Sequence, residues 1–202
     1  MSCLSKTMTK IIGITGGIAS GKSTVVAEVR KHGYQVIDAD QVVHELQAKG
    51  GKLYQALCDW LGSDILQENG ELDRKKLGQL IFSSQEMLTK SAKLQNGIIR
   101  DELAHRRDEL AKTQDVFFMD IPLLIEHDYM DWFDDIWLVH LDEQTQLERL
   151  VMRNHFSREE AQKRIASQMS TEAKKPYADK LLDNSGNIKE LKEQVNHLLS
   201  EL

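Results

Sequence analysis

Lys10-Ile11-Ile12-Gly13-Ile14-Thr15 is a short apolar run, and Gly16-Gly17-Ile18-Ala19-Ser20-Gly21-Lys22-Ser23 follows it directly. The pattern G-x-x-x-x-G-K-S restricts what this chain can become more than any other feature it carries. Its glycines let backbone N–H groups turn inward around a phosphate. The helical stretch from Thr24 to Lys31 brings the positive end of its dipole to the same place. The other reading, a glycine-rich hairpin with a chance lysine, does not lead from a strand into a helix as this loop does. Lys22 supplies a point charge for the β- and γ-phosphates of a nucleotide, and the Ser23 hydroxyl can complete an octahedral Mg²⁺ shell. Gly16, Gly17, Ala19, Ser20, Gly21, Lys22, Ser23 and Thr24 are the expected nucleotide-binding residues.

The rest of the chain alternates in character. Gln35-Val36-Ile37 reads as a second strand, closed by Asp38-Ala39-Asp40. From Gln41 onward the pattern is helical. Leu53, Leu57, Trp60 and Leu61 share one face, and Asn69-Gly70 marks a turn. Asp73 is placed to cap a helix carrying Leu77, Leu80 and Ile81. Ser83 with Glu86 predicts a capping box that opens a long amphipathic stretch through Leu88, Leu94, Ile98, Leu103 and Leu110. Residues 41–112 are too long a helical run for one crossover, which predicts an inserted helical subdomain. Val116-Phe117-Phe118-Met119, Ile136 to Leu141 and Lys180-Leu181-Leu182 read as further strands. Helices are expected from Glu143, from Ser157 with Glu160 as a second capping box, and from Asn187 to Leu202. Strands alternating with helices predict an α/β protein whose parallel sheet is covered on both faces.

Composition narrows the setting. The 202 residues are 41% hydrophobic and 29% charged, enough for one core without disulfide or metal support. No apolar run reaches the roughly 18 residues that would span a bilayer. The opening Met1 to Thr7 lacks the apolar segment of a secretory signal, and Met8 is an alternative start that would make those seven residues dispensable. Cys3 and Cys58 fit no metal or disulfide framework and read as reduced thiols. A net charge of −6 argues against general nucleic-acid binding. The expectation is a cytoplasmic protein, taken as monomeric, with neither membrane nor nucleic acid as partner.

The phosphate loop indicates a nucleotide but not a reaction. A GTPase would carry N-K-x-D after a later strand, and the sequence has none. D-x-x-G occurs at Asp59–Gly62 and Asp183–Gly186, away from the strand where a switch loop would sit. No ABC-type signature is present. A small-molecule kinase is the remaining common use of so short a chain. Asp38 and Asp40 lie just past a strand end, where ligands gather in open α/β sheets. Such a pair is either simply solvated or serves a hydroxyl acceptor, and phosphoryl transfer asks its base mainly to orient that hydroxyl.

Several segments together resemble one family. Thr15 to Thr24 and Ile37-Asp38-Ala39-Asp40 are joined by Gly70-Glu71-Leu72-Asp73-Arg74, Ile81-Phe82 and Asp120-Ile121-Pro122-Leu123-Leu124-Ile125-Glu126. Gln144 to Arg149, Ala178-Asp179 and Asp183-Asn184-Ser185-Gly186 complete the set. From about residue 10 to its end the chain resembles the dephospho-coenzyme A kinases, and the D-A-D and P-L-L-x-E elements are more specific than the phosphate loop. The resemblance implies transfer of the γ-phosphoryl of ATP, with Mg²⁺, to the ribose 3′-hydroxyl of dephospho-coenzyme A, the last step of coenzyme A synthesis. It implies Asp40 as catalytic base, His44 and Arg74 on the acceptor, and Pro122, Leu123 and Leu124 as an apolar wall beside it. His44 reads equally as an exposed helix residue. Asp120 either reaches Mg²⁺ through water or caps its strand end. The chain departs from the family where His-Pro usually precedes an Ile-Arg pair, since Asn96-Gly97-Ile98 stands before Ile99-Arg100. No role is carried over for that histidine, nor for Arg100.

Charge is unevenly spread. Residues 149–175 hold Arg149, Arg153, Arg158, Lys163, Arg164, Lys174 and Lys175 against Glu159, Glu160 and Glu172, which leaves +4 in an acidic chain. A lid over a triphosphate accounts for this, with Arg149 as the catalytic arginine because it also falls in the family motif. A solvated basic helix is the other reading. The expected architecture is an adenylate-kinase-like P-loop NTPase fold of one domain, residues 9–202. It has a five-stranded parallel core (9–40, 113–148 and 176–202), a helical acceptor-binding subdomain (41–112) and a lid (149–175). Two other classes are compatible with the loop: a kinase for a different small molecule such as a nucleoside or nucleotide, and a nucleotide-binding module without activity. The acidic pair and the basic segment argue against the second.

Overall fold

The computed structural model of the chain describes residues 9–202, so Cys3 and Met8 lie outside the described residues. In chain order the strands are Lys10–Gly16 (β1), Val36–Asp38 (β2), Val116–Asp120 (β3), Asp135–His140 (β4) and Lys180–Asp183 (β5). They form one parallel sheet in the order β2-β3-β1-β4-β5. Ile12 and Ile14 of β1 have no exposed surface, nor do Phe117 and Phe118 of β3 or Leu138 and Val139 of β4. Burial on both faces is what a central parallel strand requires, and it explains continuous apolar runs where a half-exposed strand would alternate.

The helices are Lys22–Lys31 (α1), Ala39–Gln47 (α2), Lys52–Leu61 (α3), Arg74–Ile81 (α4), Gln85–Leu110 (α5), Glu143–Asn154 (α6), Arg158–Ala166 (α7), Thr171–Lys174 (α8) and Ile188–Leu199 (α9). The contacts divide the described chain into residues 9–37 with 110–202, which hold most of the sheet, and Asp38–Glu109, which is helical. In the first unit, Val25 and Val29 of α1 and Leu191 and Val195 of α9 pack onto Ile12, Ile14, Trp137 and Val139. Phe118 stands edge-on to Trp137 at 5.2 Å and to Tyr34 at 5.4 Å, a favoured arrangement of ring quadrupoles.

In the second unit the core is small. Leu53, Leu57 and Ile65 are fully buried and Val42 and Leu103 nearly so, but of the 26 residues of α5 only Ser91 and Leu103 are buried. Leu88, Leu94, Ile98 and Leu110 stay half-buried. Charge contributes instead. Glu102 lies 2.9 Å from Lys52 and 3.0 Å from Arg106, which also reaches Glu45 at 2.7 Å. Hydrogen bonds from Lys52 and Arg106 hold the Glu102 carboxyl below the ordinary carboxylate range.

The expected caps are largely present. Asp73 accepts from the N–H groups of Lys75 and Lys76 at the start of α4. Ser157 accepts from the Glu160 N–H, but the Glu160 carboxylate turns to Arg164 and does not close the reciprocal box. One expectation needs correction. Ser84 Oγ, not Ser83, accepts from Met87 N–H at the head of α5, while the Ser83 hydroxyl donates back to the Leu80 carbonyl and finishes α4. Two adjacent serines each satisfy the helix end that faces them, and spacing to Glu86 alone does not separate them.

Candidate active site

Gly21 opens α1 at φ +89°, in the left-handed region that favours glycine. No side chain caps this helix, and no acidic residue stands in its first turn. Its positive end therefore faces the loop uncompensated, as an anion site needs. A Cβ at Gly16 would sit 2.6 Å from Ser20 Oγ and 2.7 Å from the Val139 carbonyl, and one at Gly21 would collide with Asn184 Nδ2. Only bare backbone fits there, which is the form of a phosphate cradle.

The cradle is held from outside. Asn184, 5% exposed at the end of β5, donates to the Ser20 carbonyl at 2.8 Å. Gln146 of α6 donates to the Ile18 carbonyl at 2.8 Å, and Gln168 accepts from the Ile18 N–H at 2.9 Å. The Thr15 hydroxyl donates to the Pro122 carbonyl at 2.9 Å, tying the end of β1 to the segment after β3. Lys22 Nζ forms an ion pair with Asp120 at the end of β3, and both side chains are largely buried. Asp120 thus holds the loop lysine as well as ending its strand. Ser23 is exposed in the first turn of α1, and Thr24 is half-buried beside it. Hard oxygen donors at Ser23 and Asp120 suit Mg²⁺ shared with phosphates. Among the described residues no group of three or more His, Cys, Asp and Glu could cage a metal.

The acidic pair divides by role. Asp38 is the N-cap of α2 and accepts from the Gln41 N–H at 3.1 Å. Asp40 is exposed in the first helical turn, and His44, four residues on, is exposed along the same face. Arg74 is exposed at the first position of α4, directly after its Asp73 cap. Of the three apolar residues after β3, Pro122 and Leu123 keep partial exposure. Leu124 does not. It has no exposed surface, and a Cβ on Gly13 would meet its Cδ1 at 2.6 Å, so it belongs to the core and offers no wall to a ligand.

Four of the seven basic side chains in the segment lie against carboxylates. Lys163 pairs with Glu159 at 2.8 Å, Arg164 with Glu160 at 3.1 Å and Lys175 with Glu172 at 2.6 Å, all within one helical turn. Lys174 is fully buried, with Nζ 2.8 Å from Glu126 Oε1. Arg158 reaches the neutral Gln144, and Arg153 the neutral Asn154. Arg149 is half-buried in α6. These three arginines are the ones left for an external anion by the carboxylate pairs described. The local pairs follow i,i+3 and i,i+4 spacings visible in the sequence, and that spacing distinguishes them from the remaining arginines. Sequence reasoning missed Gln146, Gln168 and Asn184 as holders of the loop. Gln146 and Asn184 lie inside the matched motifs, but nothing local shows what they hold.

Comparison with known proteins agrees with this geometry. The family model for dephospho-CoA kinase matches residues 10–190. The dephospho-CoA kinase of Streptococcus mutans is 63% identical over 195 residues, which cover 96% of this chain and 98% of that one. A crystal structure of a Thermus thermophilus protein is similar with TM-score 0.75 at 32% identity, covering 96% of this chain and 98% of that one. The dephospho-CoA kinase of Campylobacter jejuni has the same fold, with TM-score 0.74 at 24% identity over 96% and 97% of the two chains. A phosphate loop set between β1 and α1, an acidic pair at the head of α2 and a family match running through both leave one assignment: the chain belongs to the dephospho-CoA kinase family.

Proposed function

We propose that this protein transfers the γ-phosphoryl group of ATP to the ribose 3′-hydroxyl of dephospho-coenzyme A, giving coenzyme A and ADP. The observation that carries the reading is the glycine cradle with its Lys22–Asp120 pair, in a chain of this family. Gly16 to Thr24 bind the phosphates, and Lys22 exchanges its Asp120 partner for phosphate oxygens. Asp40 orients the 3′-hydroxyl and accepts its proton as the new O–P bond forms and the bond to ADP breaks. A loose transition state needs the base late, so an exposed carboxylate suffices. Asp38 is already engaged as a cap and is not the base. Arg149 stabilises charge on the transferring group.

His44 shares the face of Asp40, and Arg74 is an exposed cation at the first position of α4. Both therefore suit the acceptor's phosphates, and Pro122 and Leu123 its apolar parts. Mg²⁺ would be held by Ser23 and, through water, by Asp120, and would neutralise charge on the β- and γ-phosphates. The same reading gives the protein small-molecule partners in the cytoplasm. Its charge of −6 does not suit nucleic acid, and among the described residues no helix is long and apolar enough to cross a membrane. An acceptor screen tests the reading. ADP release should rise with dephospho-coenzyme A and stay at background with nucleosides and nucleoside monophosphates. Preference for a nucleoside would assign a different kinase, and absence of any acceptor-dependent ADP would leave a binding module.

A further inference from the structure

We propose that Gln146 and Gln168 are positioning residues that set the shape of the phosphate loop by gripping both sides of one residue, Ile18. This rests on the nucleotide-binding reading of the loop. Gln146 Nε2 donates to the Ile18 carbonyl at 2.8 Å, and Gln168 Oε1 accepts from the Ile18 N–H at 2.9 Å. The two glutamines come from α6 and from the turn between α7 and α8, far from the loop in sequence. Gln146 is 6% exposed, and the Ile18 side chain is packed against the cluster of Leu147, Leu150 and Ala161. A Cβ on Gly17 would approach Gln146 Nε2 to 2.8 Å, so the loop runs close under this side chain.

Two features make the grip matter for phosphate binding. Ala19, the next residue, has φ +60°, a conformation that a residue with a Cβ keeps only when its surroundings impose it. Fixing the peptides on either side of Ile18 supplies that constraint. The Ile18 N–H is also directed to Gln168, which decides which loop N–H groups remain to point at phosphate. Gln168 is itself held in place. Met169 N–H, one residue on, donates to Glu126 Oε1 at 3.3 Å, and Lys174 lies against the same carboxylate. Glu126 closes the Pro122-Leu123-Leu124-Ile125-Glu126 motif, so the segment 168–174 joins that motif to the phosphate loop.

The two bonds have opposite polarity, and this supplies the test. Gln168 must accept and Gln146 must donate. Amide exchange at Ile18 is measured in the nucleotide-free protein, with exchange at Leu191 and Val195 in α9 as the folding control. Gln168→Leu should speed Ile18 exchange about fivefold, the worth of one neutral hydrogen bond. Gln168→Glu keeps an acceptor and should retain slow exchange. Gln146→Glu sets a carboxylate against a carbonyl and should loosen the loop as Gln146→Leu does. If the Gln146 variants fail to fold, the two Gln168 variants, at a half-buried site, decide the matter. In steady state Gln168→Leu should raise the KM for ATP about fivefold with kcat within about twofold, because an unshaped loop is reorganised when ATP binds. A carboxylate near phosphates weakens ATP binding by charge alone, so the Glu variants are read by exchange only. Unchanged Ile18 exchange in Gln168→Leu, or equal exchange in Gln168→Glu and Gln168→Leu, overturns the proposal. If the wild-type protein transfers no phosphoryl group, the functional reading fails while the exchange experiment still judges the grip.

Discussion

In the phosphate loop Ser20 is bonded to a residue 164 positions away and Ile18 to residues 128 and 150 away, whereas at the head of α2 Asp38 is bonded to Gln41, three residues on. Both places follow the end of a strand, and both carry groups assigned here to phosphoryl transfer. Under the proposed function the loop is a backbone receptor whose N–H directions are set before phosphate arrives, and distant side chains hold it. The Asp40 carboxylate, under the same function, needs only to be presented, and the helix that presents it is capped by Asp38 and tied through Glu45 to Arg106. The proposed function thus puts the preorganised groups where charge develops, while Asp40, His44 and Arg74 are exposed.

The comparison can be broken first at Lys22. Lys22→Ala should lower kcat/KM by at least about a hundredfold, since it removes a charge aimed at the transferring group. It also deprives a largely buried Asp120 of its ion-pair partner, so the variant should melt below wild type. Near-normal turnover in Lys22→Ala would remove the phosphate-loop assignment.

At the acceptor side, Asp40→Asn should lower kcat about a hundredfold with the KM for ATP hardly changed, because Asn orients a hydroxyl but takes no proton. Asp38→Asn should be mild, since Asn caps helices about as well as Asp. The reverse ranking would mean that the cap and the base have been exchanged. Arg149→Ala is expected to cost about tenfold, more in kcat than in KM for ATP. Lys163→Ala, whose exposed ammonium is already paired with Glu159, should be silent. Equal effects from the two would reduce the segment to a general basic surface.

The smallest effect concerns stability of the helical unit. Glu102 titrates below its unfolded value of about 4.3 because Lys52 and Arg106 hydrogen-bond its ionised form. Its contribution is complete above that pH and is lost as pH falls through the depressed folded value. Protection factors of the α5 amides should therefore fall in acid before those of α9 do, and Glu102→Gln should flatten that dependence. A pH-independent difference between the two helices would remove the ion-pair network from the account.

Much of this was legible in the sequence because it is local. Asp73 and Ser157 as caps and the buried runs of β1, β3 and β4 each depend on a few neighbouring residues. The misreadings have equally physical causes. Ser83 and Ser84 are adjacent but serve different helix ends, and Leu124 looks like site lining until Gly13 leaves room for it in the core. In residues 149–175, Glu159, Glu160 and Glu172 each sit one turn from a cation, so the excess rests on Arg149, Arg153, Arg158 and Lys174, the last held by Glu126 from outside the segment. Gln146, Gln168 and Asn184 had no local signal at all, since each acts on a backbone group more than a hundred residues away.

The most direct test of the central claim is to incubate the protein with Mg²⁺, ATP and dephospho-coenzyme A and to identify the product by mass and by ³¹P NMR. The account predicts one added phosphoryl group per ADP released, as a monoester on the ribose 3′-oxygen, formed by wild type and nearly absent with Asp40→Asn. A phosphoryl group on any other atom, or undiminished product from Asp40→Asn, would contradict it.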